Sequence, residues 1–197
     1  MAGTVIDTLF GDLPSYAWPP GDDVAEFPWT AFVEARRDPG RAVELWQQVA
    51  AADVAPRHVA QAWYFLRAHG VQPAPEEQQR VLGLVMEIGL KWGADVLAVY
   101  ADRNVRYYKQ AGGGVVLGHA EGEQAELVDA LLAASAEVVA RTGAGSGHVP
   151  APPHERSVRL TFLTPGGVHR TEGPMEQLGG AVLTLATRLL TQITAGN

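Results

Sequence analysis

Residues 80–118 read RVLGLVMEIGLKWGADVLAVYADRNVRYYKQAGGGVVLG, and the fold turns on them. Leu82, Leu84, Met86 and Ile88 alternate with Gly83, Val85, Glu87 and Gly89. That period of two marks a strand with one well-buried face. Lys91-Trp92-Gly93 breaks the run. From Ala94 to Ala101 the chain is apolar on both faces, with Leu97 and Val99 on one and Val96, Ala98 and Tyr100 on the other. This predicts a central strand covered from two sides, and hence the most buried strand, over Asp95 to Ala101. Asp102-Arg103-Asn104 is a turn signal. A third strand is predicted from Asn104 to Gln110, with Val105 and Tyr107 on one face and Arg106 and Tyr108 on the other. Strands joined by turns this short pair antiparallel, which makes the stretch a meander.

Downstream, Gly112-Gly113-Gly114 reads as a turn or bulge, and Val115-Val116-Leu117 as a short strand or a continuation past that bulge. Glu121 to Arg141 is the clearest helix. Leu127, Val128, Leu131, Leu132, Ser135, Val138 and Val139 share one broad face, and Glu121, Glu123 and Glu126 crowd the end that the macrodipole favours. Residues 142–156 form a Gly- and Pro-rich loop. Ser157 to Leu163 is a strand with Val158, Leu160 and Phe162 inward and Arg159 and Thr161 outward. Pro165-Gly166-Gly167 turns into a more polar run, Val168 to Glu172, suited to a sheet edge. The last helix runs from Met175 or Gly180 to Thr194.

Upstream, Trp29 to Arg37 is a short helix. Asp38-Pro39 reads as the start of the next, carrying Ala42, Leu45, Trp46 and Val49, and Pro56 starts another that Gly70 stops. Residues 1–28 hold Pro14, Pro19, Pro20 and Pro28, which forbid a long helix, yet also Val5, Ile6, Leu9, Phe10, Tyr16, Trp18 and Phe27. They read as an extended arm that covers either this chain or a second copy. The expected fold is α+β: an antiparallel sheet of about five strands (meander, helix, hairpin, helix) behind an arm and a helical hairpin. The segments are 1–28 for the arm, 29–70 for the hairpin and 80–197 for the α+β domain, with 28–197 one compact unit.

Hydrophobic content of 47% and charged content of 19% in 197 residues describe a globule with a sizeable core. A formal net charge of −7 repels phosphate backbones and argues against nucleic-acid binding. Zero cysteine excludes disulfides, thiolate catalysis and cysteine-held metal. The N-terminus lacks a basic region ahead of an apolar core, and no apolar run reaches a membrane span, so a cytoplasmic protein with no membrane contact is expected.

The segment DVLAVYADRNVRYYKQAGGGVV (95–116), followed by the amphipathic helix and then LTFLTPGGVHRTEGP (160–174), resembles a family of uncharacterised bacterial soluble proteins. In that family a strand, an Ala-Asp turn and an aromatic Arg-Tyr strand recur. The resemblance spans about 80–194 and implies a fold without an activity to transfer. More distantly, the order is similar to profilin-like, longin and roadblock domains, which are scaffolds and partner-binding modules. Those place two strands before the middle helix and three after, whereas three precede it here.

Six histidines are present: His58, His69, His119, His148, His154 and His169. None has the H-x-x-x-H spacing that holds zinc on one helix face, and those of the late loop and hairpin read as solvated; no metal or cofactor is expected. Ser146 in GAGSGH is flanked directly by glycines, unlike a nucleophile elbow. The most suggestive polar set is Arg106, Tyr108 and Lys109 with Arg159 and Arg170, a basic and aromatic spot for a carboxylate or an acidic segment if its strands adjoin. Two functions are weighed. One is a non-catalytic protein-interaction or scaffold module, homodimeric through its arm or the Val168–Glu172 edge. The other is an anionic-ligand binder or cryptic enzyme that uses the Arg/Tyr face and the 142–156 loop.

Overall fold

The alternation read in residues 80–118 produces strands on the expected registers, here seen in a computed structural model that describes residues 9–12, 25–145, 151–178 and 180–195. Strand β1 is Gly83–Leu90, β2 Gly93–Tyr100, β3 Val105–Tyr108 and β4 Gly114–Leu117. Helix α4, Gly122–Val139, leads to β5, Ser157–Thr164, and β6, Gly167–Pro174. Short α5, Met175–Leu178, and α6, Ala181–Ala195, follow. Ahead of the sheet lie α1, Trp29–Arg37, α2, Ala42–Ala51, and α3, Pro56–Ala68. The fold is α+β, and its single antiparallel sheet has six strands in the order β4-β3-β2-β1-β5-β6. The extra strand is Val115–Leu117 with Gly114. Gly112 and Gly113 take φ of +95° and +78°, which turns the chain back so that β4 pairs with β3 and extends the meander.

One face of the sheet packs under α4 and α6. Leu84, Met86, Leu97, Val99, Val105, Tyr107, Val158, Leu160 and Phe162 meet Leu127, Val128, Leu131, Val182, Ala186 and Leu189 there. The opposite face carries Val85, Val96, Ala98, Tyr100, Leu163 and Val168 beneath Val59 and Ala60 of α3. Leu82 joins this second cluster, not the Leu84 face, because it precedes the strand and its alternation. Helix α3 also turns Ala62, Phe65 and Leu66 toward Phe32, Leu45, Trp46 and Val49 of α1 and α2. It is therefore buried on two sides.

Leu9 and Phe10 are buried on this α3 face, and Tyr100 Oη donates to the Leu9 carbonyl at 2.7 Å. Gly11 has φ +62°, and a Cβ there would press on the Arg57 carbonyl, so the segment lies directly on α3. Of the arm, residues 9–12 pack within the chain, whereas Phe27, expected to be covered, is 49% exposed; residues 1–8 and 13–24 lie outside the described residues.

Four local expectations are corrected. Helix α2 begins at Ala42, not Pro39: Asp38 accepts from the Gly40 N–H in a turn, and Pro39 stays outside the helix. Buried residues are most continuous in β5 rather than β2, because Asp95 sits near the open β1–β2 turn while Val158 to Thr164 is covered throughout. Arg159 and Thr161 point into the α3-side interior, not to solvent. His169 is buried beside Thr142, not solvated.

Candidate functional site

Antiparallel partners share a face, so the register lays out the α3 side of the sheet in rows. One row runs Val116, Arg106, Ala98, Val85, Thr161, Arg170, and its neighbour runs Gly114, Tyr108, Val96, Glu87, Arg159, Glu172. Four of the five expected side chains, Arg106, Tyr108, Arg159 and Arg170, therefore occupy one face. They do not form one spot. Arg106 and Arg159 are separated by β2 and β1, three inter-strand steps or roughly 14 Å. Lys109 stands apart, exposed in the β3–β4 turn.

The Arg159–Arg170 end is charge-balanced. Arg159, 4% exposed, donates to Glu87 at 3.1 Å, to Glu172 at 2.8 Å and to the Ala151 carbonyl at 2.7 Å. Arg67 bridges Asp12 and the Pro165 carbonyl. Arg159 and Arg67 thus meet three carboxylates, and the charge of nearby Arg170 acts on two of them, Asp12 and Glu87. Burial pushes the Glu87 and Asp12 carboxyls above their ordinary range, outweighing the attraction of Arg159 and Arg67 respectively. The network ties β1, β5, β6, α3 and the loop together and holds no surplus charge for a ligand.

The Arg106 end is not balanced. Arg57, in the first turn of α3, lines a small void of about 10 Å³, room for one water, with Arg106, Ala55, Tyr100, Asp102 and Asn104. Arg106 Nε donates to Asn104 Oδ1 at 3.1 Å, and Asp102 Oδ1 accepts from the Asn104 N–H at 3.0 Å. Among the described residues neither Arg57 nor Arg106 has a carboxylate within ion-pair reach. Burial first, and the Arg106 charge second, hold the Arg57 guanidinium below its ordinary value. Burial, with Arg57 and Arg106, takes neighbouring His58 down to about 3. Arg57 escaped the sequence reading, although a cation in a helix's first turn opposes the macrodipole and is itself a signal.

A third feature lies at the β1–β2 turn. Trp92 is 79% exposed and Leu90 38%. The Lys91 ammonium lies 5.1 Å from the Trp92 ring centroid. An open cleft of about 530 Å³ runs between this tip and Pro152, Pro153, His154 and Glu155. A Cβ on Gly89 would strike the His154 and Pro153 carbonyl oxygens, so loop and strand are pressed together backbone to backbone. The sequence reading took Lys91-Trp92-Gly93 only as punctuation between strands.

Gly112 and Gly113 make a hairpin turn. Among the described residues no three His, Asp or Glu side chains converge as a metal site, and no helix is long and apolar enough to cross a membrane. Ser146 and His148 lie outside the described residues. Compared with known protein families, curated proteins and solved structures, the chain matches none.

Proposed function

We propose that the protein is a non-catalytic protein-interaction module that works as a homodimer, with the β1–β2 tip as its contact. The observation that carries this reading is Trp92, an indole 79% exposed beside the half-open Leu90 and next to a cleft. Burying an aromatic of this size removes about 200 Å² from water, roughly 5 kcal/mol of gross transfer energy. Tryptophan is also one of the residues enriched at the hot spots of protein interfaces. Each copy offers both a protruding ring and an adjoining hollow, with Lys91 and Glu155 of opposite charge on the same rim. A surface that carries both halves of a contact is self-complementary, as a two-fold interface requires. The buried charges at the Arg159 end serve the frame, which keeps the tip on a rigid base.

Light scattering at about 50 μM tests this on the full chain. The expected result is a dimer for the wild type and a monomer of unchanged Tm for Trp92→Ser. A wild-type monomer, or a Trp92→Ser dimer, overturns the reading.

A further inference from the structure

At the β1–β2 tip the ends of three strands lie side by side. The Arg156 N–H donates to the Gly89 carbonyl at 3.1 Å, and the Met175 N–H donates to the Arg156 carbonyl at 3.1 Å. The end of β1, Arg156 and Met175 therefore follow one another along a lip of the sheet, from β1 past β5 to β6. Two inter-strand steps separate the first from the last, roughly 10 Å. Among the described residues five large apolar side chains are exposed, and three of them, Leu90, Trp92 and Met175, stand on this lip. Single exposed apolar residues are ordinary, whereas a group of them marks a contact surface.

Two hollows open on the lip. The first is the cleft at Pro152–Glu155, which has Trp92 itself in its wall. The second, about 390 Å³, is lined among the described residues by Arg156, Pro174, Met175 and Glu176. Its chemistry suits an indole. A guanidinium is attracted to the face of an aromatic ring, indole above all, and a thioether sulfur to its edge. The Pro174 ring adds an apolar wall. Charge matches as well: the Lys91 ammonium lies 5.1 Å from the Trp92 ring centroid and accompanies the ring, and Glu176 on the rim of the hollow offers it a carboxylate.

Resting on the reading of the tip as a two-fold contact, we infer that the Trp92 indole of each copy seats in the Arg156–Pro174–Met175 hollow of the other, with Lys91 set against the partner's Glu176. A two-fold contact pairs residue i with j and j with i. Ring and hollow are carried on one lip, so an axis passing near Arg156 fills both hollows with both rings at once. The cleft at Pro152–Glu155 then lies close to the axis, facing its own copy.

Dimer dissociation constants of the full chain are measured by sedimentation equilibrium. Met175→Ser is expected to raise the constant at least tenfold with unchanged Tm. Arg156→Gly is expected to raise it severalfold; Arg156 has φ +66°, which glycine adopts freely, so the guanidinium is removed without straining the turn. The chain has no cysteine, so introduced thiols report contacts without background. Lys91→Cys mixed with Glu176→Cys and treated with a short bismaleimide is expected to give the 91–176 product between copies as the main species. Dissociation constants of Met175→Ser and Arg156→Gly equal to that of the wild type, with Trp92→Ser monomeric, overturn the assigned receptor and leave the tip as the contact. A 91–91 product in place of 91–176 does the same, since the two tips would then meet on the axis. A wild-type monomer overturns the receptor together with the two-fold reading.

Discussion

At the scale of single residues, His58 sets the acid response of the helical layer. Its ring is buried 4.7 Å from that of Trp29 and 6.5 Å from that of Phe32, centroid to centroid. Its folded value of about 3 lies below the ordinary 6.5. A depressed value stabilises the fold above pH 6.5, and that contribution drains away as the pH falls toward 3, at up to roughly 1.4 kcal/mol per pH unit. Asp12 and Glu87 act with the opposite sign. Their raised carboxyls stabilise the fold when protonated, fully so below the ordinary carboxyl range, and that stabilisation is lost as the pH rises through their folded values. They offset part of the acid loss, and the wild type and a His58 variant share that offset equally. Between pH 7 and pH 5 the Tm of His58→Gln is therefore expected to fall distinctly less than that of the wild type. Parallel slopes in melts at pH 8, 7, 6 and 5 would show that His58 is not the titrating group.

At the scale of elements, Arg159 joins β5 to both neighbours, reaching Glu87 on β1 and Glu172 on β6, and clamps the incoming loop at Ala151. The pair Glu87–Arg159 is directly cross-strand, so one side chain decides whether three strands keep their polar interior satisfied. Arg159→Met strands a carboxylate in the sheet interior and is expected to cost about 3–5 kcal/mol. Glu87→Leu with Arg159→Met removes both charges and is expected to recover more than half of that loss, since Glu172 is half-open and can turn to water. Urea midpoints of the two variants decide it. A double variant no more stable than Arg159→Met would mean that the destabilisation comes from lost packing rather than an unpaired charge.

At the scale of the whole molecule, α3 belongs to two cores at once. Ala62, Phe65 and Leu66 complete the helical cluster, while Val59 and Ala60 cap the sheet. Neither cluster survives the loss of this helix, so the helical layer and the sheet are expected to unfold together. Trp29, Trp46 and Trp63 report the helical layer by fluorescence, and far-UV circular dichroism reports the helices and sheet as a whole. The two urea transitions should coincide in midpoint and slope. A fluorescence transition that clearly precedes the circular dichroism change would make the helical layer a separate unit.

Local pattern was sufficient for the meander and its pairing, for the amphipathic face of α4 and for the late hairpin. Alternation, turn residues and helical spacing are properties of neighbours in the chain, and burial on one side or both follows from them. The same patterns left β4 as one of two readings, a short strand or a continuation past a bulge, because a strand of four residues behind three glycines is too short to show a period. They also concealed the direction of Arg159 and Thr161: a polar residue on a strand reads as solvent-facing until a second layer closes over it. Arg106 and Tyr108 were legible as a polar face, yet the reading joined them to Arg159 and Arg170, which strand order sets on the far side of β2 and β1. Arg57, Asp12 and Arg67 come from segments distant in sequence. The docking of α3 and of residues 9–12 on the sheet brings Arg67 to Asp12 at one end and Arg57 beside Arg106 at the other, whereas Arg159 finds Glu87 and Glu172 on its own neighbouring strands.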